Sequence, residues 1–185
     1  MGREEIRFSG FGGQGIILSG YIVGKAAAVF DNKFATLTQN YGPESRGGSC
    51  TAHLVVSDGP VAYPQVTSPT VQVLMSQEAF GKFGGASANG SLVLVDEDLV
   101  VRNSAEHGNL LSVPATRMAE GLGKRIMANI VMLGFFAAVT DVVSRDALRE
   151  AIRTSVPAGT EELNLRAFDT GHAYGLERAE LVGVL

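Results

Sequence analysis

The sequence predicts an α/β protein, a three-layer α/β/α sandwich around a largely parallel central sheet. Three observations lead there. Short apolar or β-branched runs alternate with segments of helical periodicity through the first half of the chain. The fifth such run, 91–95, is nearly all apolar, as a strand covered on both faces is. Beyond Pro114 the pattern turns helical, which supplies a helical half to pack on the sheet. At 185 residues with 45% apolar content, the chain is long enough to bury a core, and a single domain over 1–185 is expected. No internal repeat or low-complexity linker divides it.

Residues 6–9 read as the first strand. Residues 14–30 read as a helix, with Ile17, Leu18, Tyr21, Ile22, the aliphatic stem of Lys25 and Ala28 at three- and four-residue steps. A second short strand is expected at 34–37. A third, rich in Thr and Val, covers 49–56 and ends at the Asp58-Gly59-Pro60 turn. The fourth, 70–75, follows Pro69 and leads into a short helix that stops near Gly84-Gly85. After the fifth strand, helices are expected at 115–122, 124–140 and 146–154, the last behind a Ser144 cap. A final helix starts near Thr160, where Glu161 and Glu162 offer a polar first turn.

Composition removes several function classes. Fifteen basic against nineteen acidic residues give a net charge of −4 with no long single-sign run, so neither nucleic acid nor an anionic membrane finds a footprint. The longest apolar stretch, 130–139, is ten residues, short of the ~18 a membrane span needs. The N-terminus has no apolar signal region, and Ile6 stands where a myristoylation signal wants Ser or Thr, so a cytoplasmic location is expected. A lone Cys50 with three scattered histidines, His53, His107 and His172, does not make a thiolate zinc or iron–sulfur site. Metal chemistry is expected on another chain. Cys50 and His53, three apart on one strand, face opposite ways and form no dyad; Cys50 reads as core.

The chemistry-bearing stretch is Gly10-Phe11-Gly12-Gly13-Gln14-Gly15, between a strand and a helix. Gly10, Gly12 and Gly15 match G-x-G-x-x-G, and the following helix N-terminus offers free N–H groups to a phosphate or other anion. A nicotinamide or flavin site also needs an acid at the end of the second strand. That end reads Thr36-Leu37-Thr38-Gln39-Asn40, without a carboxylate, while Asp31 precedes the strand and suits a helix-ending turn. A dinucleotide site is therefore disfavoured.

Two further features stand out. The loop from Gln39 to Cys50 contains Glu44, Ser45 and Arg46 among turn formers. Glu44 and Arg46 make either a solvated ion pair or, for Arg46, a planar fork offered to a carboxylate or phosphate. Asn129 lies within a long apolar helix, where a buried amide needs a partner; capping a neighbouring loop, the glycine turn among them, competes with ligand binding. No Ser–His–Asp order, HExxH or lysine-bearing phosphate loop is present, so the chain has no self-sufficient catalytic apparatus.

Three motifs, in this order, carry a family resemblance: Phe8-Ser9-Gly10-Phe11-Gly12-Gly13-Gln14-Gly15; Tyr41-Gly42-Pro43-Glu44-Ser45-Arg46-Gly47-Gly48; and Val113-Pro114-Ala115-Thr116 with Ala128-Asn129-Ile130-Val131-Met132-Leu133-Gly134. Over residues 6 to about 167 the chain resembles the gamma subunit of 2-oxoacid:ferredoxin oxidoreductases, whose branches include pyruvate and ketoisovalerate enzymes. Phe11 and the Ser45-Arg46-Gly47-Gly48 run look more like the 2-oxoglutarate branch. The resemblance implies CoA-dependent oxidative decarboxylation of a 2-oxoacid to an acyl-CoA, carbon dioxide and two reduced ferredoxins. It implies thiamine diphosphate with magnesium on alpha and beta catalytic subunits, iron–sulfur clusters outside this chain, coenzyme A as co-substrate and ferredoxin as acceptor, and it leaves a ferredoxin-like delta subunit open. The gamma chain is similar to the third domain of the fused pyruvate enzyme. On that resemblance Gly10, Gly12, Gly13, Gln14, Gly15, Glu44, Ser45, Arg46 and Asn129 face a cofactor or an interface. The competing expectation is a free-standing nucleotide- or phosphate-binding protein that uses the 10–15 turn.

Overall fold

The computed structural model describes residues 2–42, 48–85, 90–101 and 109–182. Among them six strands form one sheet in the order β2-β3-β1-β4-β5-β6. The strands are β1 (Arg3–Phe11), β2 (Phe34–Tyr41), β3 (Ser49–Ser57), β4 (Val71–Leu74), β5 (Leu92–Asp96) and β6 (Leu110–Val113). β1, β4, β5 and β6 pair in parallel, while β3 runs antiparallel to both β1 and β2. Five of the six strands thus point the same way and β3 alone opposes them. β2 is not the neighbour of β1, because the β2–β3 hairpin folds back and inserts β3 between them.

The helices are α1 (Ile16–Lys25), α2 (Gln77–Phe83), α3 (Ala115–Gly121), α4 (Ala128–Val139), α5 (Arg145–Arg153) and α6 (Glu161–Val182). Side chains alternate across the sheet with period two. Ile6, Phe8, Ala52, Leu54 and Val73 face the large core shared with α1 and α3 to α6. Leu74, Val93 and Val95 face a smaller cluster closed by Ala79 and Phe80 of α2 and by Val100.

Several expected boundaries shift, each for a local reason. The first helix begins at Ile16, because Gly15 caps it in the left-handed region (φ 74°). Its end, Ala26–Phe30, widens to a π turn in which Asp31 N–H reaches back to the Ala26 carbonyl at 3.0 Å. Asp31 then accepts the Ser144 amide (2.6 Å) and hydroxyl (2.7 Å), joining this turn to the start of α5, where Ser144 Oγ accepts Ala147 N–H as expected of a cap. β2 runs four residues beyond its expected end, since β3 pairs with it residue for residue from Phe34 to Tyr41. The helix expected over 124–140 opens as a 3₁₀ turn, Arg125–Met127, before α4. β6 has no counterpart in the sequence reading.

Candidate functional site at the carboxyl rim of the sheet

The parallel strands all end at one rim. There β1 sends its connection to α1 on the large-core side, while its parallel neighbour β4 sends its own to α2 on the opposite side. Divergence of adjacent connections opens a crevice at the carboxyl ends of the two strands, the place where open α/β sheets bind ligands. The glycine turn lies on one wall of that crevice and Met75, which follows β4, on the other.

The turn is packed rather than hollow. Gly10 is still in β1, opposite Cys50. A Cβ there would fall 2.5 Å from Gln14 Oε1 and 2.8 Å from Ile16 Cδ1, so the first glycine of the motif makes room for a side chain of the same motif. Gln14 Oε1 accepts Phe11 N–H at 2.6 Å and its Nε2 donates to the Met75 carbonyl at 2.8 Å. The amide thus staples the end of β1 to the end of β4 across the crevice. Gly12 N–H donates to the Gly48 carbonyl at 2.8 Å, and Gln14 N–H to the Phe11 carbonyl at 3.2 Å. Three amides that an anion cradle would use are already committed. Gly13 (φ 94°) has nothing within 4 Å of its missing Cβ and forms the open crest.

Asn129, at 3% exposure, sits directly beneath Gly15. Its Nδ2 donates to the Gly15 carbonyl at 3.4 Å, and that carbonyl also accepts the Ser19 amide (2.9 Å) and hydroxyl (3.0 Å). A Cβ on Gly15 would lie 2.8 Å from Asn129 Cγ, so left-handed backbone and contact space both require glycine there. Gly10, Gly12, Gly13, Gln14, Gly15 and Asn129 therefore come together. Glu44, Ser45 and Arg46 lie outside the described residues. The segments that flank them are at the rim: Gly42 N–H bonds to the Ser49 carbonyl at 2.7 Å, and Gly48 holds Gly12.

Two clefts of about 270 Å³ each flank the crest and share Gly13 and Ile126. One runs along Gln14, Met75, Leu99, Thr116 and Arg125. The other is more apolar, with Leu18, Ile130, Pro157 and Leu163, and has Lys124 at its border. Ile126, 72% exposed, stands between them on the 3₁₀ turn. Neither Lys124 nor Ile126 was marked by sequence reading; the signal was a Lys-Arg-Ile run directly before an apolar helix, whose first turn could not be placed at the rim without the sheet order.

Asp96 supports this rim from below. Fully buried at the end of β5, it accepts Thr116 N–H (3.0 Å) and Oγ1–H (2.6 Å) in the first turn of α3, and Asp98 N–H (3.1 Å). Pro114 at the α3 N-cap offers no side-chain bond, and Asp96 supplies it from a neighbouring strand. Burial pushes its carboxyl above the ordinary value, opposed by these hydrogen bonds. On β3, Cys50 is buried in the large core while His53 faces the other way, and burial pushes the Cys50 thiol up.

Comparison with known proteins agrees along almost the whole chain. Residues 5–174 match the family model of pyruvate ferredoxin/flavodoxin oxidoreductase. The 2-oxoglutarate synthase subunit KorC of Methanocaldococcus jannaschii is 48% identical over 178 residues, covering 95% of each chain. The crystal structure of the keto/oxoacid ferredoxin oxidoreductase gamma subunit from Geobacter sulfurreducens superposes with a TM-score of 0.85 at 39% identity, covering 96% of this chain and 98% of that one. The same fold recurs, at 21% identity and a TM-score of 0.84, in the 2-oxoglutarate:ferredoxin oxidoreductase from Magnetococcus marinus, solved with 2-oxoglutarate, coenzyme A and succinyl-CoA. There it covers 95% of this chain but 31% of the longer one.

Proposed function

Since the chain belongs to the pyruvate ferredoxin/flavodoxin oxidoreductase family, we propose that it is the gamma subunit of a 2-oxoglutarate:ferredoxin oxidoreductase and acts as one domain. The observation that carries this reading is the 48% identity to a 2-oxoglutarate synthase subunit, spread over 95% of both chains. The holoenzyme would convert 2-oxoglutarate and coenzyme A to succinyl-CoA and carbon dioxide, passing two electrons to ferredoxin. Thiamine diphosphate with magnesium and the iron–sulfur clusters belong to alpha, beta and any delta subunit. A single cysteine in 185 residues does not supply the ligands of a cluster.

Within this reading the rim is the face turned to coenzyme A or to the catalytic subunits. Gln14 and Asn129 position the turn, and Gly13, Lys124 and Arg125 form its outer border. The competing reading, a free-standing phosphate binder, loses support because Phe11, Gly12 and Gln14 amides are bonded within the protein. It also loses the topology of a dinucleotide fold, since antiparallel β3 lies where the ribose-binding second strand would be.

The test is purification of the chain with its companions from the native host, followed by assay of CoA-dependent viologen reduction with 2-oxoglutarate, pyruvate and 2-oxoisovalerate. Preferential turnover of 2-oxoglutarate is expected; preference for another acid, or no companion subunits, overturns the reading. In the same complex Arg46→Lys, which keeps the charge and loses the bidentate fork, should lower turnover about tenfold, equivalent to ~1.4 kcal/mol. Wild-type rates at limiting coenzyme A and limiting 2-oxoacid would return Arg46 to the solvent.

A further inference from the structure

The two faces of the sheet are unequally covered. Helices α1 and α3 to α6 bury one. On the other, α2 closes over β4 and β5, and a strap around 63–68 crosses the start of β1. There Arg3 donates to the Tyr63 and Gln65 carbonyls, and Glu5 accepts the Thr67 and Ser68 amides. The helix that packs on β2 and β3 is α1, on the large-core side. Their opposite side carries Thr38 and Asn40, exposed, and Thr36, half-buried, on β2, and half-buried Thr51 and His53 on β3, with Val55 fully buried farther along β3. The strand register aligns Thr38, His53 and Arg7 in one row across three strands.

Arg7 is the charge of this surface. Its Nη1 donates to Gln72 Oε1 at 2.8 Å, and its guanidinium lies 4.4 Å from the centre of the Phe83 ring. Its Nε is buried with no hydrogen-bond partner. Glu5, two residues away on the same face, is committed to Arg3 and to the strap. Among the described residues Arg7 has no ion pair within 4 Å, and the Glu5 charge acts on it only from a distance. His53 adds no compensating negative charge, and burial followed by the Arg7 charge pushes its pKa below the ordinary value.

The adjoining edge points the same way. β2 is an edge strand of eight residues, Phe-Ala-Thr-Leu-Thr-Gln-Asn-Tyr, paired on one side only and without bulge, charge or proline. Those are the devices by which exposed edges are protected from pairing, and their absence is a liability unless the edge is covered in the assembly. A second copy of this chain is a poor occupant for the face, because twofold docking there sets Arg7 and His53 against their own equivalents. A carboxylate-bearing surface is the complement.

We propose that the open side of β2, β3 and β1, centred on the row Thr38, His53 and Arg7, is the surface on which a companion subunit of the oxidoreductase docks and presents a carboxylate to Arg7. This rests on the gamma-subunit reading above. It assigns the rim and the open face to different tasks, since the glycine turn lies at the strand ends and this surface on the strands themselves.

The test uses the full chain and the companion subunits that copurify with it, with dissociation constants measured at two ionic strengths. Thr38 is exposed, so Thr38→Glu leaves the fold intact, which a thermal melt verifies. It sets a carboxylate against the incoming one and should weaken association about tenfold or more, while Thr38→Lys should not. Arg7→Gln should weaken association similarly and flatten its salt dependence. Arg166→Glu, exposed on α6 at the other side of the molecule, should change nothing. Native affinity for both Thr38→Glu and Arg7→Gln, or equal weakening by Arg166→Glu, overturns the proposal, as does a wild-type homodimer that Thr38→Glu dissociates. In the first two cases the wild-type complex still forms and turns over 2-oxoglutarate, so the functional reading stands; a wild-type chain with no companions ends both.

Discussion

On one side of the sheet two helices approach to backbone contact, while on the other α2 covers β4 and β5, and β2 and β3 carry polar side chains with no helix over them among the described residues. A Cβ on Gly134 of α4 would run into the Phe168 carbonyl oxygen and lie 2.8 Å from His172 N; one on Gly171 of α6 would run into the Val131 carbonyl oxygen. A Cβ on Gly175 would fall 2.5 Å from Ala138 Cβ. Glycines at matched turns let α4 and α6 pack at their closest, with Phe8, Phe135, Phe136 and Phe168 fully buried around them. The open side has a glycine too, Gly81 in α2, with nothing within 4 Å. The difference teaches how packing decides what a glycine is for: the same residue type is obligatory on one side and a mere loss of helix propensity on the other.

The sharpest way to break this contrast is a pair of matched substitutions. Gly134→Ala forces α4 and α6 apart and should destabilise the chain by about 3 kcal/mol, the upper part of the range for overpacking. Gly81→Ala should instead stabilise it by about 0.5–1 kcal/mol, because alanine is the better helix former where there is room. Urea unfolding of the two variants decides; equal effects of the same sign would erase the distinction.

A smaller effect concerns the rim between the faces. Gln14→Ala removes the bonds to Phe11 N–H and the Met75 carbonyl, and should cost about 1–2 kcal/mol. Amide hydrogen exchange at Phe11 should quicken with it. Unchanged exchange would mean that the staple between β1 and β4 does not hold the crevice.

The smallest expected effect is a pH slope. Burial raises the Asp96 pKa above its ordinary 3.8, so the folded protein binds this proton more tightly than the unfolded chain does. Stability from this group is therefore greatest below 3.8 and falls as pH rises through the interval up to the raised value. Asp96→Asn should remove that component of the slope, read from denaturation midpoints across acidic pH. Identical slopes in the two proteins would place the Asp96 pKa at its ordinary value.

Much of the architecture is legible in the sequence. The cap at Ser144, the break at Asp58-Gly59-Pro60 and the polar start of α6 are local chemistry, and each lies within a residue or two of its expected place. β6 was not legible because four residues carry too little pattern; register against β5 is what makes them a strand. The extension of β2 to Tyr41 likewise exists because β3 supplies the ladder. Asn129 was legible as a buried amide in need of a partner, and the partner is the Gly15 carbonyl. Gln14 was legible only as a motif letter: that it fills the space above Gly10 and reaches Met75, 61 positions along the chain, depends on β1 and β4 being neighbours.

Local periodicity, turn chemistry and charge were thus enough for the class of fold and the seat of the glycine turn. Those properties are carried by residues close together in sequence, where steric and hydrogen-bonding rules act without knowledge of the rest. Which strand lies beside β1, which amides of the turn are already bonded, and that Thr38, His53 and Arg7 share one row were settled by pairing between segments tens of residues apart. Period two tells which side of its own strand a residue occupies; it does not tell which strand will be next to it, and the surfaces that meet other molecules are made by that adjacency.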